Sequence, residues 1–176
     1  SYALAVAWLS DFILTPALCS SVRITTLWDV LTLDLGENPQ DSIPLLNGLR
    51  KSQARIVAIM AHVVRIPAGE RFIHDGEKGN EMYVVIDGKL GTSIEGKNGP
   101  VEISTHTRGD VIGETALFNE HRTANVDTLE DSRLLCLNQQ NLERLSRYYP
   151  YIATKVFRNL NKILTERLFK TTRRLA

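Results

Sequence analysis

From Val63 to Leu137 the chain is a succession of short β-branched or aromatic runs, each closed by a breaker that often carries glycine. The runs lie at 63–66, 71–74, 82–86, 90–95, 101–105, 124–128 and 133–137. Between them stand Pro67-Ala68-Gly69, Asp75-Gly76, Lys78-Gly79-Asn80 and Asp87-Gly88. Glycine turns the chain through positive φ without steric cost, so this punctuation marks strand ends. A parallel sheet needs a crossover of roughly a dozen or more residues between strands. No helix-length segment interrupts these runs, which therefore predict a small antiparallel barrel or jelly roll. At 176 residues the chain can bury a core without disulfide or metal staples.

The flanks carry a different period. Leu27, Trp28, Leu31 and Leu35 fall on one helical stripe over 26–35, with Gly36 as its C-cap. Residues 36–41 are polar and read as a linker. Pro44-Leu45-Leu46 with Leu49 forms an apolar knot, and a helix over 52–62 would turn Ile56, Val57, Ile59 and Met60 inward. After the strands, a short helix over Gln139–Arg147 breaks near Pro150. A long amphipathic helix of about 20 residues then runs on Ile152, Val156, Phe157, Leu160, Ile163, Leu164 and Leu168. The chain divides into an N-terminal helical segment (1–36), a lead-in (37–62), the β-region (63–138) and C-terminal helices (139–176).

A net charge of +1 argues against a globally basic nucleic-acid binder. The charge is uneven, however. Residues 141–176 hold nine Lys or Arg against two Glu, as a solvated helix face or one turned toward anionic lipid. Cys19 and Cys136 make no disulfide framework, and Cys136, between Leu135 and Leu137, reads as a small core residue. His62, His74, His106 and His121 are scattered without metal-ligand spacing, so no metal or other cofactor is expected. Nucleophile–base pairs, carboxylate dyads and phosphate-cradling P-loops are absent from the sequence, which disfavours an enzyme. Tyr2–Leu18 is apolar except for Asp11. It reads as the end of a membrane-spanning helix or as a buried helix. Residues 10–31 resemble, weakly, the last transmembrane helix of exporters of the resistance–nodulation–division superfamily. That resemblance implies a membrane partner and a place on the cytoplasmic face of the inner membrane, as the C-terminal module of a transporter.

The stretch most suited to chemistry is 113–124, Gly-Glu-Thr-Ala-Leu-Phe-Asn-Glu-His-Arg-Thr-Ala, set between two strands. Gly113 permits close backbone approach to a ligand. Thr115 and Ala116 are small enough to leave backbone amides accessible. Arg122 offers a bidentate fork for phosphate, and Glu114 an acceptor for a sugar hydroxyl. His121 abuts Arg122 and would tune such a site. In an ordinary loop, Glu114 would simply pair with Arg122.

Residues 43 to about 169 resemble the cyclic nucleotide-binding domain family. The resemblance rests on an ordered set: Pro44-Leu45-Leu46, Pro67-Ala68-Gly69-Glu70, Gly76-Glu77-Lys78-Gly79, Met82–Ile86 with Asp87-Gly88, Arg108-Gly109-Asp110, Gly113-Glu114-Thr115-Ala116-Leu117 and Arg122-Thr123-Ala124. It implies an α+β fold, an antiparallel eight-stranded β-roll with flanking N-terminal helices and a long C-terminal helix. Residues 113–124 correspond to that family's phosphate-binding cassette, with a short tip at Phe118–His121. By that correspondence Glu114 would accept from the ribose 2′-hydroxyl and Arg122 would pair with the cyclic phosphate. Amides near Ala116 and Thr123 would complete the anion site. The Thr123 hydroxyl would serve phosphate or a guanine amino group, so cAMP and cGMP both remain open. The C-terminal helix would close on the ligand as a lid, and a homo-oligomer is compatible with the fold. The same roll without nucleotide would serve docking or dimerisation.

Overall fold

The computed structural model describes residues 23–24, 33–35, 42–119 and 121–175. Eight strands form the roll: β2 (His62–Ile66), β3 (Arg71–Ile73), β4 (Glu81–Asp87), β5 (Leu90–Gly96), β6 (Gly99–His106), β7 (Val111–Ile112), β8 (Asn125–Thr128) and β9 (Ser132–Asn138). A two-residue strand β1 (Arg23–Ile24) adds to one edge. One sheet runs β1-β2-β9-β4-β7 and the other β3-β8-β5-β6, with every pairing antiparallel. Helices are α1 (Lys51–Met60), α2 (Ala116–Asn119), α3 (Gln139–Tyr148) and α4 (Pro150–Leu175), preceded by a 3-10 turn at Pro44–Leu46.

The first sheet is covered on both faces, and period-2 alternation shows how. Met82, Val84 and Ile86 of β4, with Leu135 and Leu137 of β9, face the helices. Tyr83 and Val85, with Leu134 and Cys136, face the second sheet. This double burial explains why these strands read as unbroken apolar runs rather than alternating ones. Cys136 is a core residue, as its sequence position suggested, and burial pushes its thiol up to about 12.

Several local expectations are corrected. In α1 the residues that disappear from solvent are Ala54, Val57 and Ala58, whereas Ile56, Ile59 and Met60 pack half-buried around the cluster. Small residues let the helix approach the sheet closely, so the large side chains lie at its margins. His62 belongs to β2 rather than to the helix. Residues 23–24 are strand and 33–35 are irregular, so the N-terminal segment is not helical at those positions. Leu33 and Leu35 are nonetheless buried, with the Leu33 carbonyl accepting from Arg55 at 2.9 Å. The apolar run 2–18 and most of the proposed 26–35 helix lie outside the described residues, as does the exporter-like stretch up to 22. No helix among the described residues is long and apolar enough to cross a membrane.

The C-terminal helix has 26 residues, longer than its apolar stripe suggested. Ile152, Val156 and Leu160 are buried, but Phe157 and Leu168 are exposed. Leu168 is exposed because the helix outruns the helical core and passes onto the mouth of the roll, whereas Phe157, between the buried Val156 and Leu160, sits at the margin of the seated face. Asn159 fixes its mid-section, donating through Nδ2 to the carbonyls of Leu45 (2.9 Å) and Asn47 (2.8 Å). We expect Asn159→Leu to cost about 1–2 kcal/mol of stability, since two carbonyls lose their donor. Urea unfolding checks the loss.

Candidate functional site

The loop that leaves β7 and returns into β8 builds the site. Gly113 has φ +71°, a region favourable to glycine, and its Cα faces the Arg122 guanidinium so closely that a Cβ would stand 2.6 Å from Nη1. The turn then tightens into α2, where Ala116 is buried and its N–H donates to the Gly113 carbonyl at 3.2 Å.

Arg122 is the organising charge. It is 7 % exposed. Nη1 donates to the Glu81 carbonyl at 2.6 Å and to the Gly113 carbonyl at 3.1 Å, and Nη2 donates to the Glu81 carboxylate at 2.9 Å. Its backbone is clamped as well: its N–H donates to Glu77 O at 2.8 Å, and its carbonyl accepts from Gly76 N at 2.9 Å. Tyr83 places its ring 5.7 Å below the guanidinium. Burial holds the Tyr83 hydroxyl well above its ordinary pKa, so the ring is neutral. A buried charge is tolerable only with this density of acceptors.

Glu114 does not pair with Arg122. It accepts from Arg167 Nη1 of α4 at 3.1 Å, and Arg167 Nη2 donates to the Val111 carbonyl. The two recognition groups expected from sequence therefore have separate partners, one from β4 and one from the C-terminal helix. His121 turns to the Gly76 carbonyl at 3.2 Å.

These groups border a cleft of about 320 Å³. Gly113, Glu114, Thr115, Arg122 and Thr123 line it, whereas Ala116, the sixth residue chosen from sequence, lies beneath the turn. Ile73, Ile112 and Val126 form an aliphatic surface, and Arg167, Lys170 and Thr171 reach it from α4. A size near the lower bound of small-ligand sites, a mostly apolar lining and a few convergent charges fit a compact anionic ligand.

Sequence reasoning missed three contributors. Glu81 sits 41 positions from Arg122, and Arg167 sits 53 from Glu114, so neither pairing has a local signature. Gly79 read as turn punctuation only. A Cβ there would stand 2.5 Å from Arg122 Nε and 2.7 Å from Cζ.

Comparison with known proteins agrees with the fold. Residues 63–149 match the family model of the cyclic nucleotide-binding domain. The cAMP-dependent protein kinase regulatory subunit of Emericella nidulans is 29% identical over 106 residues, covering 60% of this chain and 25% of that protein. The chain spans about a quarter of the length of the first curated relatives it matches. The catabolite activator protein of Thermus thermophilus superposes with a TM-score of 0.67 at 26% identity, covering 75% of this chain and 61% of that one. A cyclic nucleotide-binding domain from Methylobacillus flagellatus gives 0.75 at 17% identity over 88% and 87%, a likeness of fold. Gly79→Ala is expected to cost about 1–3 kcal/mol, because the guanidinium it would strike is fixed by three hydrogen bonds. Chemical denaturation measures this directly.

Proposed function

We propose that the cleft binds a cyclic nucleotide and that α4 reports its occupancy, a reading supported by the match of residues 63–149 to the cyclic nucleotide-binding domain family. The observation that carries the reading is the buried, fully braced Arg122 on the wall of a cleft lined both by Ile73, Ile112 and Val126 and by polar groups such as Glu114 and Thr123. A guanidinium has five N–H donors. Arg122 can keep its three bonds to Glu81 and Gly113 and still donate to a cyclic phosphate. Glu114 supplies the acceptor for the ribose hydroxyl, Thr115 and Thr123 border the same anion, and Gly113 keeps the backbone close to it. The module acts as a switch and not as a catalyst.

Regulation would run through Arg167. In this arrangement the Glu114 carboxylate already holds a lid guanidinium. A ribose hydroxyl must share that carboxylate, so ligand binding and the position of α4 are linked. The helix moves only as far as ligand prefers one of its positions over another. Carriage of the module at the cytoplasmic face of a membrane transporter belongs to the same proposal and rests only on the apolar run 2–18 and the weak exporter-like resemblance of residues 10–31.

One observation favours a second reading. Arg122 and Glu114 are both satisfied by protein groups, which suits a nucleotide-free roll used for docking or dimerisation. Calorimetric titration with cAMP and cGMP, with 5′-AMP as control, separates the two. Micromolar binding of a cyclic form supports the sensor, and no binding at millimolar ligand supports the docking module. Arg122→Ala should weaken the cyclic nucleotide by about 2–5 kcal/mol, the usual cost of truncating one partner of a buried charge pair. Hydrogen exchange tests the lid: nucleotide should alter protection over 163–171 in the native chain, and Arg167→Ala should abolish that response while binding persists.

A further inference from the structure

α4 meets the rest of the protein along one side only. Ile152, Val156 and Leu160 are buried in the helical core, and Arg167 and Thr171 continue that side onto the cleft. On the opposite side, Tyr151, Arg158, Lys162, Phe169 and Arg173 recur at steps of seven, four, seven and four residues, which places them on one stripe. All five are exposed. We propose that this stripe seats α4 flat on an anionic lipid surface. The proposal holds whether or not the cleft takes a nucleotide, because none of the five residues lines it.

Charge complementarity selects the partner. Residues 150–175 carry seven Lys or Arg and one Glu. With a total of +1 and +7 over residues 141–176, the rest of the chain is left at −6. The molecule is therefore polarised, with its cations gathered on the C-terminal helices. Along the stripe, Lys162 has only a 4.0 Å approach to Glu166, and Arg158 and Arg173 form no ion pair among the described residues. Lys155 stands 5.3 Å over the Tyr151 ring, which adds a further cation at that end. Each such cation close to a negatively charged leaflet favours binding, and salt screens the attraction.

The apolar groups decide between lipid and other polyanions. Tyr151 is 62 % exposed and Phe169 66 %, and Leu168 beside it is 68 % exposed. The fold makes little use of these side chains. The two rings stand 18 residues apart on the helix, about 27 Å at 1.5 Å per residue, with Arg158 and Lys162 between them. A planar surface can receive both rings at once. They would enter the boundary between headgroups and acyl chains, where aromatic side chains are favoured, while the cations meet phosphates. A nucleic-acid backbone would engage the cations and leave Leu168 and Phe169 in water. No helix among the described residues is long and apolar enough to cross a membrane, so α4 lies on the bilayer and does not span it.

The test is co-sedimentation of the native chain with phosphatidylcholine vesicles, with and without phosphatidylserine. Any insertion of the apolar run 2–18 would appear on both, so the difference between them is the readout. The native chain should prefer the anionic vesicles, and added salt should erase the preference. Replacing three cations, in R158Q/K162Q/R173Q, should weaken anionic binding on the order of a hundredfold. Phe169→Ser should weaken it roughly tenfold through lost apolar contact. Melting temperatures confirm that both variants fold. Equal binding of the native chain to the two vesicles, binding to neither, or insensitivity to either variant would overturn the proposal. So would binding a single-stranded oligonucleotide more tightly than the anionic vesicles.

Discussion

A guanidinium placed inside a protein forces everything near it to provide acceptors. Arg122 draws the start of β4 to the cassette loop through the Glu81 carboxylate and carbonyl, and it draws the end of β7 through the Gly113 carbonyl. Its backbone, in turn, ties 121–122 to the turn at 76–78. Two glycines permit this convergence, because a side chain at 79 or 113 would occupy the space of the arginine itself. The mouth of the roll is thus shaped around one charge, and the cleft is what remains open beside it.

The same logic assigns different tasks to the two faces of the first sheet. Its inner face fills the roll with Tyr83, Val85, Leu134 and Cys136, which hold the strands that carry the site. Its outer face seats α1, α3 and the first half of α4. The second half of α4 leaves that core and reaches the cleft, where Arg167 meets Glu114. Core packing and contact with the cleft are therefore divided along a single helix.

Much of the roll was legible because its information is local. Breakers such as Pro67-Ala68-Gly69 and Asp87-Gly88 delimit strands within a few residues, and for seven of the eight roll strands the observed ends fall within two residues of the runs read from sequence; the two-residue β7 at Val111–Ile112 was not read as a strand. Gly113, Glu114, Thr115, Arg122 and Thr123 do come together at one cleft, with Ala116 just beneath it. What sequence concealed is non-local. The partners of Arg122 and Glu114 lie on other elements, so the alternative in which the two simply pair with each other does not hold, and neither true partner could be named from the loop. The inward face of α1 was read in part: Val57 is buried and Ile56, Ile59 and Met60 pack at its margins, but periodicity weighs large residues and passed over Ala54 and Ala58, which close packing on the sheet selected. The exposure of Leu168 reflects where the helix ends up, which no window along the chain records.

Asn159 gives the C-terminal helix an anchor point, and an anchored rod pivots rather than slides. With its amide gripping the turn at 44–47, a displacement of the distal end near Arg167 is converted into torque about that grip. The turn sits beside Ser42, whose backbone carbonyl stands against Gly109. In the proposed switch, rotation of the helix would be geared to the chain that enters the roll, and the axis of the output would lie at that entrance.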